Sequence, residues 1–217
     1  MNKMELKSQH KQDEFVINHF KQKKRGIFLD IGAHDGISLS NTFVLEKEFG
    51  WTGICIEPME EEYNRLVKHR NCITYNCAIY DTNGTEKFTQ VETMLEYDGY
   101  PDMLSGITKE IPIEGMSAIL SESQRLGAKM KIIDVSTRIL NEILEENKIY
   151  EIDFLSIDTE GSELKILKSI DYDKFHIKVI TCEYGKPGPD LKDFLQSKNF
   201  SFIKKLGGDE IFINKLQ

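Results

Sequence analysis

Phe28-Leu29-Asp30-Ile31-Gly32-Ala33-His34-Asp35-Gly36 decides the reading of this chain, together with Gly53-Ile54-Cys55-Ile56-Glu57-Pro58. An apolar run ends in an acid, passes through a glycine-spaced turn and leads into a helical stretch. A second apolar run then ends in Glu57. Such a strand-loop-helix-strand unit brings backbone close to a ligand at the glycines. An acid ending the second strand is suited to accept hydrogen bonds from ribose hydroxyls. The loop is not G-x-G-x-x-G, so no dinucleotide phosphate cradle is visible. A ligand with a ribose but no phosphate fits the pattern better.

Working outward, strands and helices alternate. Helices are predicted over 8–24, 40–49, 59–69, 136–147 (capped by Ser136), 162–169 and 191–198. Strands are predicted over 27–31, 52–56, 72–79, 130–135, 152–157 and 178–183, which implies a mainly parallel sheet with helices on both faces. Residues 200–205 and 210–214, joined by Gly207-Gly208-Asp209, read as a closing antiparallel hairpin. Between 85–91, read as an extra strand, and 130 the rhythm fails. Residues 92–130 hold Tyr97, Gly99, Tyr100, Pro101, Gly106, Pro112, Gly115 and Gly127, with a short helix at 117–126. A long aperiodic stretch in a compact fold reads as a lid or acceptor-binding insertion. The 217 residues suit a single domain over 1–217.

Lys and Arg total 28 against 36 Asp and Glu, a formal net charge of −8. That excludes a general nucleic-acid surface, which needs a basic field. The basic run Lys21, Lys23, Lys24 and Arg25 reads as a solvated helix end. No apolar run is long enough to span a membrane, and the polar N-terminus has no signal-peptide pattern, so a cytoplasmic location is expected. Cys55, Cys72, Cys77 and Cys182 lack metal-ligand spacing and read as free thiols, mostly buried.

Three acids fall at strand ends, Asp30, Glu57 and Asp158, and Glu183 ends a fourth. Ligands of open α/β sheets bind beyond those ends. One such acid could merely cap a helix; four on one edge beside a glycine loop point to a site. These residues suit S-adenosylmethionine. Asp30, with Gly32, Ala33, His34 and Gly36, would orient the loop and meet the donor's ammonium. Glu57 would take both ribose hydroxyls, and Cys77 and Ala78 would border the adenine. Asp158 would face the transferred methyl and the acceptor, with Glu160 beside it. Glu163, in the first turn of a helix, reads as structural. His34 reads as a loop residue touching the methionine moiety, with a base as the alternative. His176 reads as a turn or surface residue and Trp51 as core.

The chain resembles the FkbM-type methyltransferases. The matching segments are Ser8-Gln9 with Gln12-Asp13, 28–36, Ser40-Asn41-Thr42, Gly50-Trp51-Thr52-Gly53, Ile56-Glu57-Pro58, 152–163 and Glu183. The resemblance spans most of the chain outside 92–130. It implies a Rossmann-like class I methyltransferase fold, S-adenosylmethionine as donor, and O-methylation, often of sugar hydroxyls. It does not fix the acceptor, which would be a small molecule or glycan. Asp158, Glu160 and Glu183 would form the catalytic site. As oxygen ligands on one edge, Asp158 and Glu183 foremost, they could also hold Mg²⁺, although spacing alone does not establish a metal. Two other readings stay open: a catalytically silent S-adenosylmethionine-binding or scaffold protein, and a nicotinamide-dependent oxidoreductase. A homo-oligomer is compatible with the sequence and not specified by it.

Overall fold

In the computed structural model the described residues are 5–92, 101–183 and 190–216. Seven strands form the main sheet: β1 (Ile27–Ile31), β2 (Thr52–Ile56), β3 (Ile73–Tyr75), β8 (Glu151–Ile157), β9 (His176–Glu183), β10 (Phe200–Leu206) and β11 (Asp209–Asn214). Their order is β10-β11-β9-β8-β1-β2-β3. The neighbouring pairs from β9 to β3 are parallel, and β11 runs antiparallel to both β9 and β10. β1 and β8 are near-continuous apolar runs buried on both faces, as central parallel strands must be.

Alternation along the strands divides the core. Leu29, Ile54, Leu155 and Ile180 point to one face, packed by Leu140 and Ile143 of α5 (Leu140–Glu146), Ile166 of α6 (Glu163–Ser169) and Leu191 of α7 (Asp190–Ser197). Phe28, Cys55, Phe154 and Val179 point to the other. There they meet Val16 of α1 (Gln12–His19), Leu45 of α2 (Phe43–Phe49) and Leu66 of α3 (Glu60–His69). Trp51 packs in that second layer, and its indole N–H donates to the Lys23 carbonyl at 2.8 Å. With helices on both faces and a terminal hairpin, this is the Rossmann-like arrangement expected.

A second sheet, order β4-β7-β5-β6, is built from β4 (Ala78–Ile79), β5 (Gly84–Glu92), β6 (Gly106–Ile107) and β7 (Lys129–Arg138). It corrects the expected strand over 72–79, which breaks after Tyr75: β3 belongs to the main sheet and β4 to the second. The Asn76 amide donates to the carbonyls of Glu57 and Pro58 at 2.9 and 3.1 Å, and this turns the chain. The expected helix over 136–147 is likewise shortened. Ser136 pairs with Thr85 inside β7, and α5 starts only at Leu140, because Val135 and Thr137 favour the ladder. The described part of 92–130 is more regular than expected. It contains a 3₁₀ turn (Pro101–Leu104), β6, and α4 (Ile113–Leu126), which begins before Ser117 and is capped by Gly127 at φ 68°. Tyr97, Gly99 and Tyr100 lie outside the described residues.

The two N-terminal helices are shorter than periodicity suggested. Ser8 stays outside α1 because the Asp13 carboxylate binds its hydroxyl and its N–H, and left-handed Lys21 and Gln22 follow the helix end. Ser40 stays outside α2 because its hydroxyl accepts from the N–H groups of Thr42 and Phe43. His176 is the exposed first residue of β9. All four cysteines are free, and Cys72 is only half-buried. Among the described residues no helix is long and apolar enough to cross a membrane.

Candidate active site

The strand order reverses between β1 and β8, and a crevice is expected outside their carboxyl ends. A cleft enclosing about 890 Å³, open mouth included, lies there. Gly32 makes the floor: it has φ 85°, and a Cβ would lie 1.8 Å from the Asp158 carbonyl oxygen, so no side chain is tolerated. Across that approach the Asp158 N–H donates to the Ile31 carbonyl at 3.0 Å.

Glu57 ends β2, is 3% exposed and lines the cleft. Its Oε2 accepts from the His34 N–H at 2.9 Å and its Oε1 from the Met59 N–H at 2.8 Å. The two backbone bonds fix the carboxylate and leave each oxygen a lone pair for a ligand. Burial is the main influence on its acidity and raises the pKa to about 7, against the lowering effect of those bonds. His34, at φ 48°, lines the cleft and comes within 3.6 Å of Glu62. Beside Glu57 the lining is apolar, from Cys77 and from Ala78, Ile79, Phe88 and Ile107 of the second sheet, which suits a base.

Asp30 lines the cleft but is already engaged. Its Oδ2 accepts from the Thr42 hydroxyl at 2.5 Å. Burial raises its pKa, opposed first by the Arg70 charge. Arg70, fully enclosed, donates to Glu46 Oε2 at 2.7 Å, Thr42 Oγ1 at 2.9 Å and the Gly36 carbonyl at 3.2 Å. Gly32, Ala33, His34, Cys77, Ala78 and Asp158 all line the cleft, but Gly36 does not. A Cβ on Gly36 would fall 2.6 Å from Leu66 and 2.8 Å from Arg70, so this glycine admits the arginine behind the loop rather than a ligand before it.

At the other rim, ligand atoms of Asp158, Glu160 and Glu183 lie within 4.8 Å of one another. The Asp158 side chain is open to the cleft, yet walled by protein. That enclosure, with the charges of Glu183 and Glu160, holds its pKa well above the usual carboxylate range. Glu160 sits at φ 56°, and burial followed by the Glu183 charge raises its pKa to about 8. Buried Glu163 ties the loop: its Oε1 accepts from the Thr159 N–H and hydroxyl at 2.8 and 2.9 Å and from the Gly161 N–H at 3.0 Å. Asp209, opposite Glu183 in the β9–β11 register, accepts from Gln12 Nε2 at 2.9 Å. Burial raises its pKa to about 6. Such an acid cluster can share a proton or hold a hard divalent cation.

Sequence reasoning missed Arg70, the Gln12–Asp209 contact and the second-sheet wall of the cleft. Gln12 was legible as part of a motif but carried no assigned role.

Among solved structures the chain is similar to the methyltransferase FkbM of Methylobacillus flagellatus KT. Identity is 13%, TM-score 0.48, with 88% of this chain and 43% of that one covered. The chain thus spans less than half the length of that protein. A protein of the NADB-Rossmann superfamily from Streptococcus agalactiae matches at 15% identity and TM-score 0.45, covering 97% of this chain and 68% of that one. A METTL16 methyltransferase domain matches at 14% identity and TM-score 0.43, covering 93% and 65%. No curated protein matches the chain. A family model described as the methyltransferase FkbM domain matches residues 30–204, and the chain belongs to that family.

Proposed function

We propose that the chain is an S-adenosylmethionine-dependent O-methyltransferase acting on a hydroxyl of a sugar, glycan or related small molecule. The observation that supports this most is a single cleft lined at one end by the fixed Glu57 carboxylate and at the other by Asp158. Glu57 would hold the ribose, and the apolar lining at Cys77 and Ala78 the adenine. When bound, the donor supplies a methyl group activated on a sulfonium. Asp158, aided by Glu160 and Glu183, would take the hydroxyl proton as the acceptor oxygen attacks the methyl carbon. The carbon–sulfur bond electrons pass to sulfur, leaving a methyl ether and S-adenosylhomocysteine. Carboxyls with raised pKa values suit general-base work near neutral pH. Much of the rate would come from alignment of the acceptor behind the methyl.

The convergence of the same three acids supports a second version, in which Asp158, Glu160 and Glu183 hold Mg²⁺ against the acceptor oxygen. We read the chain as one domain in which residues 92–130 select the acceptor. Their described part already reaches the acid loop, since a Cβ on Gly106 would lie 3.1 Å from Glu160 Cβ.

Transfer of labelled methyl to a panel of nucleotide sugars and glycans tests the reading. Transfer to a hydroxyl, slowed by roughly 10² or more in Asp158→Asn, is expected. Donor binding with no transfer to any member would favour the silent-binder reading. A chelator that stops transfer, reversed by Mg²⁺, would select the metal version; chelator-insensitive turnover would select the base version.

A further inference from the structure

Two cysteines outside the cleft lining, Cys55 and Cys72, meet behind the sheet edge. Cys55 lies on β2 and is fully buried, whereas Cys72 lies in the bend before β3 and is half-buried. The Cys72 S–H donates to Cys55 Sγ at 3.5 Å. Disulfide sulfurs lie about 2.05 Å apart, so closing the pair takes about 1.5 Å of movement. The backbone can supply it at Cys72. Pairing with β2 starts only at Ile73, and β3 is the last strand of the main sheet. The Arg70 charge acts on both sulfurs, and a cation near a thiol favours the nucleophilic thiolate. Burial nevertheless holds the Cys55 thiol well above its ordinary range, so Cys55 keeps its proton. The two partners therefore differ: one is reachable from solvent, and the other is enclosed and waits beside it.

We propose that Cys72 and Cys55 are a peroxide-responsive thiol pair, in which Cys72 is oxidised and Cys55 resolves it into a disulfide. The oxidant is hydrogen peroxide. The Cys72 sulfur attacks one peroxide oxygen, the O–O bond breaks, and the other oxygen leaves with the bonding electrons and takes a proton to become water. Cys72 is then a sulfenic acid. The Cys55 sulfur attacks the Cys72 sulfur, the S–O bond breaks, and the departing hydroxide takes the Cys55 proton as a second water. Two thiols have lost two electrons and two protons, the peroxide has been reduced, and one S–S bond has formed. A dithiol reductant reverses the step by thiol–disulfide exchange. The bond closes a loop over residues 55–72, which carries Glu57, α3 and Arg70.

Peptide mass spectrometry tests the pair on the folded wild-type protein. The protein is pulsed with hydrogen peroxide, its remaining thiols are blocked with N-ethylmaleimide in denaturant, and it is digested without reductant. A Cys55–Cys72 cross-linked peptide is expected, two hydrogens lighter than the separate thiols and lost on treatment with dithiothreitol. Buried Cys77 and Cys182 should carry the blocking group. Cys55→Ser should leave the sulfenic acid on Cys72, where dimedone traps it, and Cys72→Ser should leave Cys55 a thiol. The wild-type result decides alone if either variant fails to fold. Cys72 that stays reduced, Cys72 that proceeds to sulfinic acid beside a free Cys55, or a cross-link made instead to Cys77 or Cys182 would overturn the proposal.

Discussion

The buried Glu57 makes donor binding pH-dependent with a sign the structure fixes. Two backbone N–H groups already use one lone pair on each oxygen, so both ribose hydroxyls need the ionised form. Enclosure raises the pKa from 4.5 to about 7. The competent state is therefore lost as pH falls through about 7, and the apparent dissociation constant is the intrinsic one divided by the ionised fraction. Between about pH 8.5 and about pH 5.5 this amounts to roughly a 30-fold loss of affinity for S-adenosylhomocysteine, or about 2 kcal/mol. Isothermal calorimetry over that range reads the effect directly. His34 and Glu62 interact with the Glu57 charge, so a control is required. Glu57→Gln removes the titration while keeping the shape. Its affinity should be low and nearly independent of pH, since one backbone N–H then faces an amide N–H. A flat profile in the wild type, or the same slope in Glu57→Gln, would refute the reasoning.

Other consequences follow from the acid rim and the arginine behind the loop. Asp158→Asn should lower turnover by roughly 10² or more while S-adenosylhomocysteine affinity stays within a few-fold, read by steady-state kinetics and calorimetry. Glu160 has a folded pKa of about 8 against an ordinary value of 4.5, so the folded ligand-free protein binds the extra proton between those limits. Its contribution to stability therefore declines as pH rises through that window, and Glu160→Gln should flatten the melting-temperature profile there; an unchanged profile would show that the acid is not enclosed. Arg70→Met should cost about 3–5 kcal/mol in urea denaturation, because Glu46 loses a fully enclosed partner, and Arg70→Lys should recover only part of it. A loss under about 1 kcal/mol would mean the arginine is not structurally coupled to the loop.

Much of the frame was legible because buried parallel strands advertise themselves. β2 spans the predicted 52–56, and the Phe28–Gly36 loop sits beside Asp158 as an edge site requires. The hairpin was signalled by Gly207-Gly208 between two strand-like runs. What could not be read depends on partners distant in sequence. A period-two pattern cannot show that a strand changes sheets at Asn76, since both halves still alternate. Ser136 to Arg138 join β7 because Thr85, Gly84 and Ile79 lie opposite, which no local propensity reveals. Arg70 follows the charged end of α3 and looks like a solvated helix terminus. Its burial arises only once Glu46, Gly36 and Thr42 gather around it. Gly36 looked like a ligand contact for the same reason: the sequence shows the glycine but not the arginine it makes room for. The acid trio was visible as residues at strand ends, whereas its mutual proximity belongs to the fold.

The central claim is that one cleft at the carboxyl edge of β1, β2 and β8 holds the methyl donor. A crystal structure of the complex with S-adenosylhomocysteine tests it most directly. Both ribose hydroxyls are expected on the Glu57 carboxylate, the adenine against Cys77, Ala78, Phe88 and Ile107, and the sulfur directed toward Asp158. Nucleoside density elsewhere on the protein, or a ribose turned away from Glu57 within the cleft, would contradict it.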